Sequence, residues 1–146
     1  MTTEIRSLGA GDTLGYELEI AAPPGTAWSF WTDPEKLVRW MGDVATLDPR
    51  PGGVFRLQYK SGDIARGEYV ELDEPRRLVL TWGWEAEGDP TPPGSSRIEV
   101  DLEPTAGGAG TLVRLRHTGL PTESRTGHDE GWRYFLGQLA EAVLTP

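Results

Sequence analysis

The sequence predicts an α+β fold in which one curved antiparallel sheet wraps around a long C-terminal helix. Three observations predict it. Short runs of alternating apolar and polar residues follow one another from Leu14 to Thr118, most of them ended by a Gly- or Pro-containing turn, as in an antiparallel meander. After about Gly127 the apolar spacing changes from two residues to three and four, as in an amphipathic helix. A sheet with one apolar face needs a cover, and the terminal helix is the element long enough to supply it. Six tryptophans are spread over the early helices, the middle strands and the terminal helix. The space between sheet and helix therefore reads as a cup with an aromatic rim.

The elements follow in order. Leu14 to Ile20 alternates with period two and forms a first strand with Leu14, Tyr16, Leu18 and Ile20 inward. Pro23-Pro24-Gly25 ends it, and Thr26 to Trp31 forms a short helix with Trp28 and Trp31 on one side. Asp33 and Pro34 suit the N-cap and first position of a second short helix, which reaches about Trp40 and stops before Gly42. Val44 to Leu47 is a weak edge strand, and Pro49 to Gly53 a tight turn. Val54 to Tyr59 places Phe55, Leu57 and Tyr59 on one face, and Ser61-Gly62-Asp63 turns back into Ile64 to Leu72. Arg77 to Trp84 places Leu78, Leu80, Trp82 and Trp84 on one face. Glu85 to Gly94 has no period and is a loop, read either as a disordered loop without function, the simpler view, or as a lid over the cup mouth. Ser96, Ile98, Val100 and Leu102 alternate with charged residues, and Val113, Leu115 and His117 alternate with Arg114 and Arg116. Gly119 to Thr126 reads as a polar loop. The stripe His128, Trp132, Phe135, Leu136, Leu139 and Val143 then defines the inner face of the last helix.

Composition bounds the function classes. At 146 residues the chain reads as one domain, residues 1–146, large enough to bury a core without staples. Without cysteine it has no disulfide, no thiolate-bound zinc and no thiol nucleophile. A net charge of −9 argues against nucleic acid, because phosphate binding needs clustered Lys and Arg. No signal pattern opens the chain and no apolar run is of membrane-spanning length, so it reads as cytoplasmic, with no membrane partner. Two lysines against twelve arginines point to a GC-rich bacterial genome.

Several motifs together carry a family resemblance. Ala27-Trp28-Ser29-Phe30-Trp31-Thr32-Asp33-Pro34-Glu35-Lys36-Leu37-Val38-Arg39-Trp40 is similar to the opening helix pair of the C-terminal domain of the heat shock protein 90 ATPase activator. Asp48 to Arg56 is similar to that family's glycine turn. Gly67 to Leu72 with Pro75 to Trp82 is similar to its central hairpin, and His117-Thr118-Gly119-Leu120 with Gly131-Trp132 to its closing strand and helix. The resemblance spans about residues 13–144. It implies the helix-grip fold of the START-like (SRPBCC, birch-pollen-allergen-like) superfamily, whose members include lipid carriers, small-molecule receptors and cyclases. It does not reach the extra amino-terminal domain of eukaryotic chaperone activators. Trp31 stands where the family usually has a smaller aliphatic residue, which would narrow the cup.

The candidate site is a ligand pocket of Phe55, Leu57, Trp82, Trp84, Leu115, His117, Trp132, Phe135 and Leu136, facing a small apolar or aromatic molecule. These rings either line a cavity or fill it. No catalytic residue, metal ligand set or cofactor motif is assigned. The serines lack a nucleophile elbow, no His pair has zinc-ligand spacing, and Gly107 to Gly110 is a turn and not a phosphate loop. His117 and His128 point inward, as core histidines or as a general base. Arg56 and Glu68 are placed to pair across adjacent strands, as an anchor inside the cup or a surface pair outside it. The leading expectation is a binder or carrier of a small hydrophobic molecule, with a stress-related role as one setting. An enzyme of cyclase, hydratase or hydrolase type and a chaperone-associated protein are the alternatives. A homodimer is compatible with the sequence.

Overall fold

The structure, a computed structural model, describes residues 4–145. The strands are β1 (Arg6–Ser7), β2 (Leu14–Ile20), β3 (Val44–Leu47), β4 (Val54–Gln58), β5 (Ile64–Asp73), β6 (Arg77–Trp82), β7 (Ser96–Thr105) and β8 (Gly110–Thr118). The helices are α1 (Pro24–Thr32), α2 (Pro34–Leu37) and α3 (Thr122–Ala142). All eight strands form one antiparallel sheet in the order β1-β2-β8-β7-β6-β5-β4-β3. This is the helix-grip fold, with α3 lying in the concave side of the sheet. Among the described residues no helix is long and apolar enough to cross a membrane.

Period-two alternation sets the faces. Leu78 and Leu80 of β6, Ile98 and Val100 of β7 and Val113 and Leu115 of β8 are fully buried, and they meet across the ladders Leu78↔Val100↔Leu115 and Leu80↔Ile98↔His117. The convex side carries charge instead. Arg77 donates to Glu99 at 2.5 Å and to Asp101 at 3.1 Å, and Arg114 donates to Glu17 at 2.7 Å and to Glu103 at 3.1 Å. Hydrogen bonding to these carboxylates, Glu99 first for Arg77 and Glu17 first for Arg114, raises both guanidinium pKa values further. Such half-exposed pairs contribute little each; their effect is to keep that face wet and the other in the core.

The structure departs from the sequence reading at several places, α2 ending at Leu37 rather than near Trp40 among them. β1 is an additional two-residue edge strand on β2. β6 ends at Trp82, and Trp84 joins β5 through an isolated bridge to Ala65, because its N–H donates to Thr91 O at 2.8 Å rather than to β7. α3 starts at Thr122, so most of the polar segment before Gly127 is helical. Its first turn makes no apolar stripe because that part faces the loop before β7 and not the core. Arg56 lies opposite Arg66, while Glu68 lies opposite Val54, so the proposed Arg56–Glu68 pair does not form. Both arginines point outward and share Glu85, at 3.2 and 3.1 Å.

The early tryptophans pack the junction of α1, α2 and α3. Trp31 is 1% exposed, 4.8 Å from the Trp40 ring edge-on and 6.4 Å from the Trp132 ring. Trp40 Nε1 donates to Phe30 O at 2.9 Å, whereas the buried Trp31 Nε1 has no acceptor among the described residues. Tyr69 ties β5 to this junction by donating to Trp31 O at 3.0 Å. Trp28 is also buried. Removing an unmet indole donor relieves its desolvation cost and offsets part of the lost volume, whereas removing a paired one loses its bond. Trp40→Phe should therefore cost about 1 kcal/mol more than Trp31→Phe, measured by urea denaturation.

Candidate functional site

Between the end of β6, the loop before β7 and the inner side of α3 lies an open cavity of about 450 Å³. Its apolar walls are Met41, Tyr59, Trp82, Trp84, Trp132 and Phe135. The rings brace one another edge-on or tilted: Trp82 and Trp84 at 5.4 Å and 82°, Tyr59 and Trp84 at 5.7 Å, Tyr59 and Phe135 at 5.9 Å. Asp89 and Pro90 of the loop and Glu123, Ser124, Gly127, His128 and Gly131 of α3 complete the lining.

A hydrogen-bond network fixes the three site tryptophans. Trp132 Nε1 donates to His117 Nδ1 at 3.0 Å. Trp82 Nε1 and Trp84 Nε1 both donate to His128 Nε2, at 3.2 and 3.1 Å. These bonds assign the tautomers. With Nδ1 accepting, neutral His117 carries its proton on Nε2 and donates it to Ser96 Oγ at 2.8 Å. Ser96 Oγ in turn donates to Trp82 O at 2.8 Å. The Ser96–His117 contact thus runs opposite to a nucleophile and its base, which would need the hydroxyl proton aimed at the ring. With Nε2 accepting, His128 carries its proton on Nδ1 and donates it to Ser124 O at 2.7 Å. All four imidazole nitrogens are engaged by protein groups. Burial, aided by the neighbouring His128, pushes His117 down to about 3. Burial also lowers His128, against the opposing pull of its bond to Ser124 and of Asp89.

Two further devices shape the space. Gly127 and Gly131 lie one turn apart on α3, facing the cavity. A Cβ on Gly127 would meet nothing within 4 Å, and one on Gly131 would meet only Phe135, at 4.0 Å. Packing does not require glycine at either position, and each costs helix stability; what they leave is room. The loop is anchored by fully buried Thr91, whose Oγ1 donates to Ser124 Oγ at 2.8 Å and whose O accepts from Trp84 N. Gly83 permits this closure, since a Cβ there would lie 1.8 Å from Pro92 O.

Of the nine residues expected in the pocket, Trp82, Trp84, Trp132 and Phe135 line the cavity. Phe55, Leu57, Leu115, His117 and Leu136 are fully buried behind that wall and do not line it. His117 acts on the site through Trp132. Tyr59 shares a face with Phe55 and Leu57 and reaches the cavity from the end of β4. Asp89, Glu123, Ser124, Gly127 and Gly131 were not among the expected residues. The helical spacing of 124, 127, 128, 131, 132 and 135 is the sequence signal that groups the α3 members on one side.

A curved sheet gripping a helix over an aromatic cavity defines a protein of the START-like class. Residues 21–143 match the family described as Activator of Hsp90 ATPase homolog 1-like protein, and the chain belongs to that family. The solution structure of an AHSA1-like protein from Rhizobium etli is 38% identical, covering 97% of this chain and 88% of that one at a TM-score of 0.72. That of CalU16 from Micromonospora echinospora is 30% identical, covering 97% and 74% at a TM-score of 0.72. An Hsp90 activator from Plasmodium falciparum shares the fold at 23% identity, covering 93% and 99% at a TM-score of 0.75. No curated protein matches.

Two outcomes follow for stability. The unfolded chain binds protons at His117 near pH 6.5, the folded chain only near 3, so stability is complete above about 6.5 and falls as pH drops between the two values. Between about pH 6 and 4 the native protein should lose up to about 1.4 kcal/mol per pH unit more than His117→Gln, read from urea titrations. Gly127→Ala should raise stability by about 1 kcal/mol in the same assay.

Proposed function

We propose that the protein binds or carries a small, flat, apolar or aromatic molecule in the cavity between β6 and α3. The observation that carries this reading is the cavity itself. At about 450 Å³ it has a drug-sized volume, and six apolar or aromatic side chains wall it. The supporting chemistry is consistent. Trp82, Trp84 and Trp132 have their N–H groups turned to histidines, so they offer ring surface. Gly127 and Gly131 keep open a space that alanine or leucine would narrow. Both histidines are neutral and fully hydrogen-bonded, so the site supplies positioning and burial rather than a free base.

Hydroxymethylanthracene, a neutral three-ring probe, should bind with quenching of tryptophan emission. Gly131→Leu should keep the fold, as judged by circular dichroism, while weakening that binding by about tenfold or more, because the new side chain occupies the probe's volume. Unchanged affinity in Gly131→Leu would place the probe elsewhere and remove this reading.

A further inference from the structure

Building on the binding reading, we infer that the cavity selects a ligand carrying positive charge, an aromatic or alkyl ammonium or a protonated heteroaromatic ring, over neutral or anionic molecules of the same shape. The argument starts from what the walls can offer. The three indole N–H donors are all consumed by imidazoles, and the one imidazole proton at the cavity, on His128 Nδ1, is consumed by Ser124 O. Aromatic rings border much of the space, and a ring face carries the negative end of the aromatic quadrupole. The bordering rings are Tyr59, Trp82, Trp84, Trp132 and Phe135.

The charged lining has one sign. Asp89 and Glu123 both border the cavity, and among the described residues neither Lys nor Arg does. Elsewhere Arg77, Arg114 and Arg133 each hold carboxylates. Among the described residues Asp89 and Glu123 have no basic partner. Asp89 accepts one bond, from Thr91 N at 2.8 Å, which holds the carboxylate in place without neutralising it. The start of α3 offsets part of this charge, since a helix N-terminus carries about half a positive charge. Two carboxylates against half a charge leave the site negative by about one and a half. Arg56 and Arg66 lie outside the cavity and share Glu85. Aromatic walls beside two carboxylates at the open rim stabilise a cation twice over, by cation–π attraction and by solvent-screened Coulomb attraction. An anion there would lose its hydration and meet repulsion from both.

The test compares three probes of one outline on the native protein: N-methylacridinium, hydroxymethylanthracene and anthracenecarboxylate. The cation should bind at least about tenfold more tightly than the anion and more tightly than the neutral probe, with the advantage shrinking as salt rises. In Asp89→Asn/Glu123→Gln the ratio of cation affinity to neutral-probe affinity should lose most of its native excess. Equal affinity for cation and anion, or a cation preference that survives intact in the double variant, would overturn the inference and leave the binding reading standing. Binding of none of the three, the neutral probe included, would overturn the binding reading and this one with it.

Discussion

The donation of three indole N–H groups to two uncharged imidazoles is the interaction on which the rest of the structure depends. Tryptophan fills space well but brings a donor that must be satisfied when buried. Backbone acceptors in a sheet are already taken by the ladder. His117 and His128 supply acceptors at the sheet–helix seam, and each passes its own proton onward, to Ser96 and to Ser124. The chain of bonds therefore links β6, β7, β8 and α3 through side chains alone. It works only while both rings are neutral, because a protonated imidazole would present a donor to an indole donor. Burial enforces that neutrality, so the packing and the protonation state support each other.

Around that seam, α3 divides into two halves with different duties. From Trp132 to Val143 its inner positions are packed, with Leu136 and Leu139 fully buried. From Thr122 to Gly131 the same face borders empty space and carries a serine, a histidine and two glycines instead of aliphatic residues. A helix built for stability alone would put alanine or leucine there. The grip of the sheet is thus secured by the distal half of the helix, and the proximal half is released from core duty.

Much of the fold was legible because each strand states its period plainly. Leu78, Leu80 and Trp82 are on the buried face that alternation assigns them. The Asp33-Pro34 signal sits where α2 begins, with Asp33 accepting from Glu35 N at 3.0 Å. β1 was invisible because two residues make no alternation. The start of α3 was hidden because its polar first turn faces a loop. The site was legible only in part, since period tells which side chains point inward and not which border a void. Phe55, Leu57, Leu115 and Leu136 point inward exactly as Trp82 and Trp132 do in pattern terms, yet the void lies where the loop before β7 crosses α3. That crossing depends on Thr91, on Gly83 and on a chain reversal that no periodicity records.

The anchoring of Thr91 has an energetic consequence. One residue holds the backbone of Trp84 and the hydroxyl of Ser124, so it latches the loop to both walls. Releasing the latch breaks two hydrogen bonds of about 1 kcal/mol each and touches no rung of the β6–β7 ladder. That cost is small beside global unfolding, so freeing this loop costs less than breaking the sheet. The threonine thus joins the loop to the strand end and to the helix by contacts separate from that ladder.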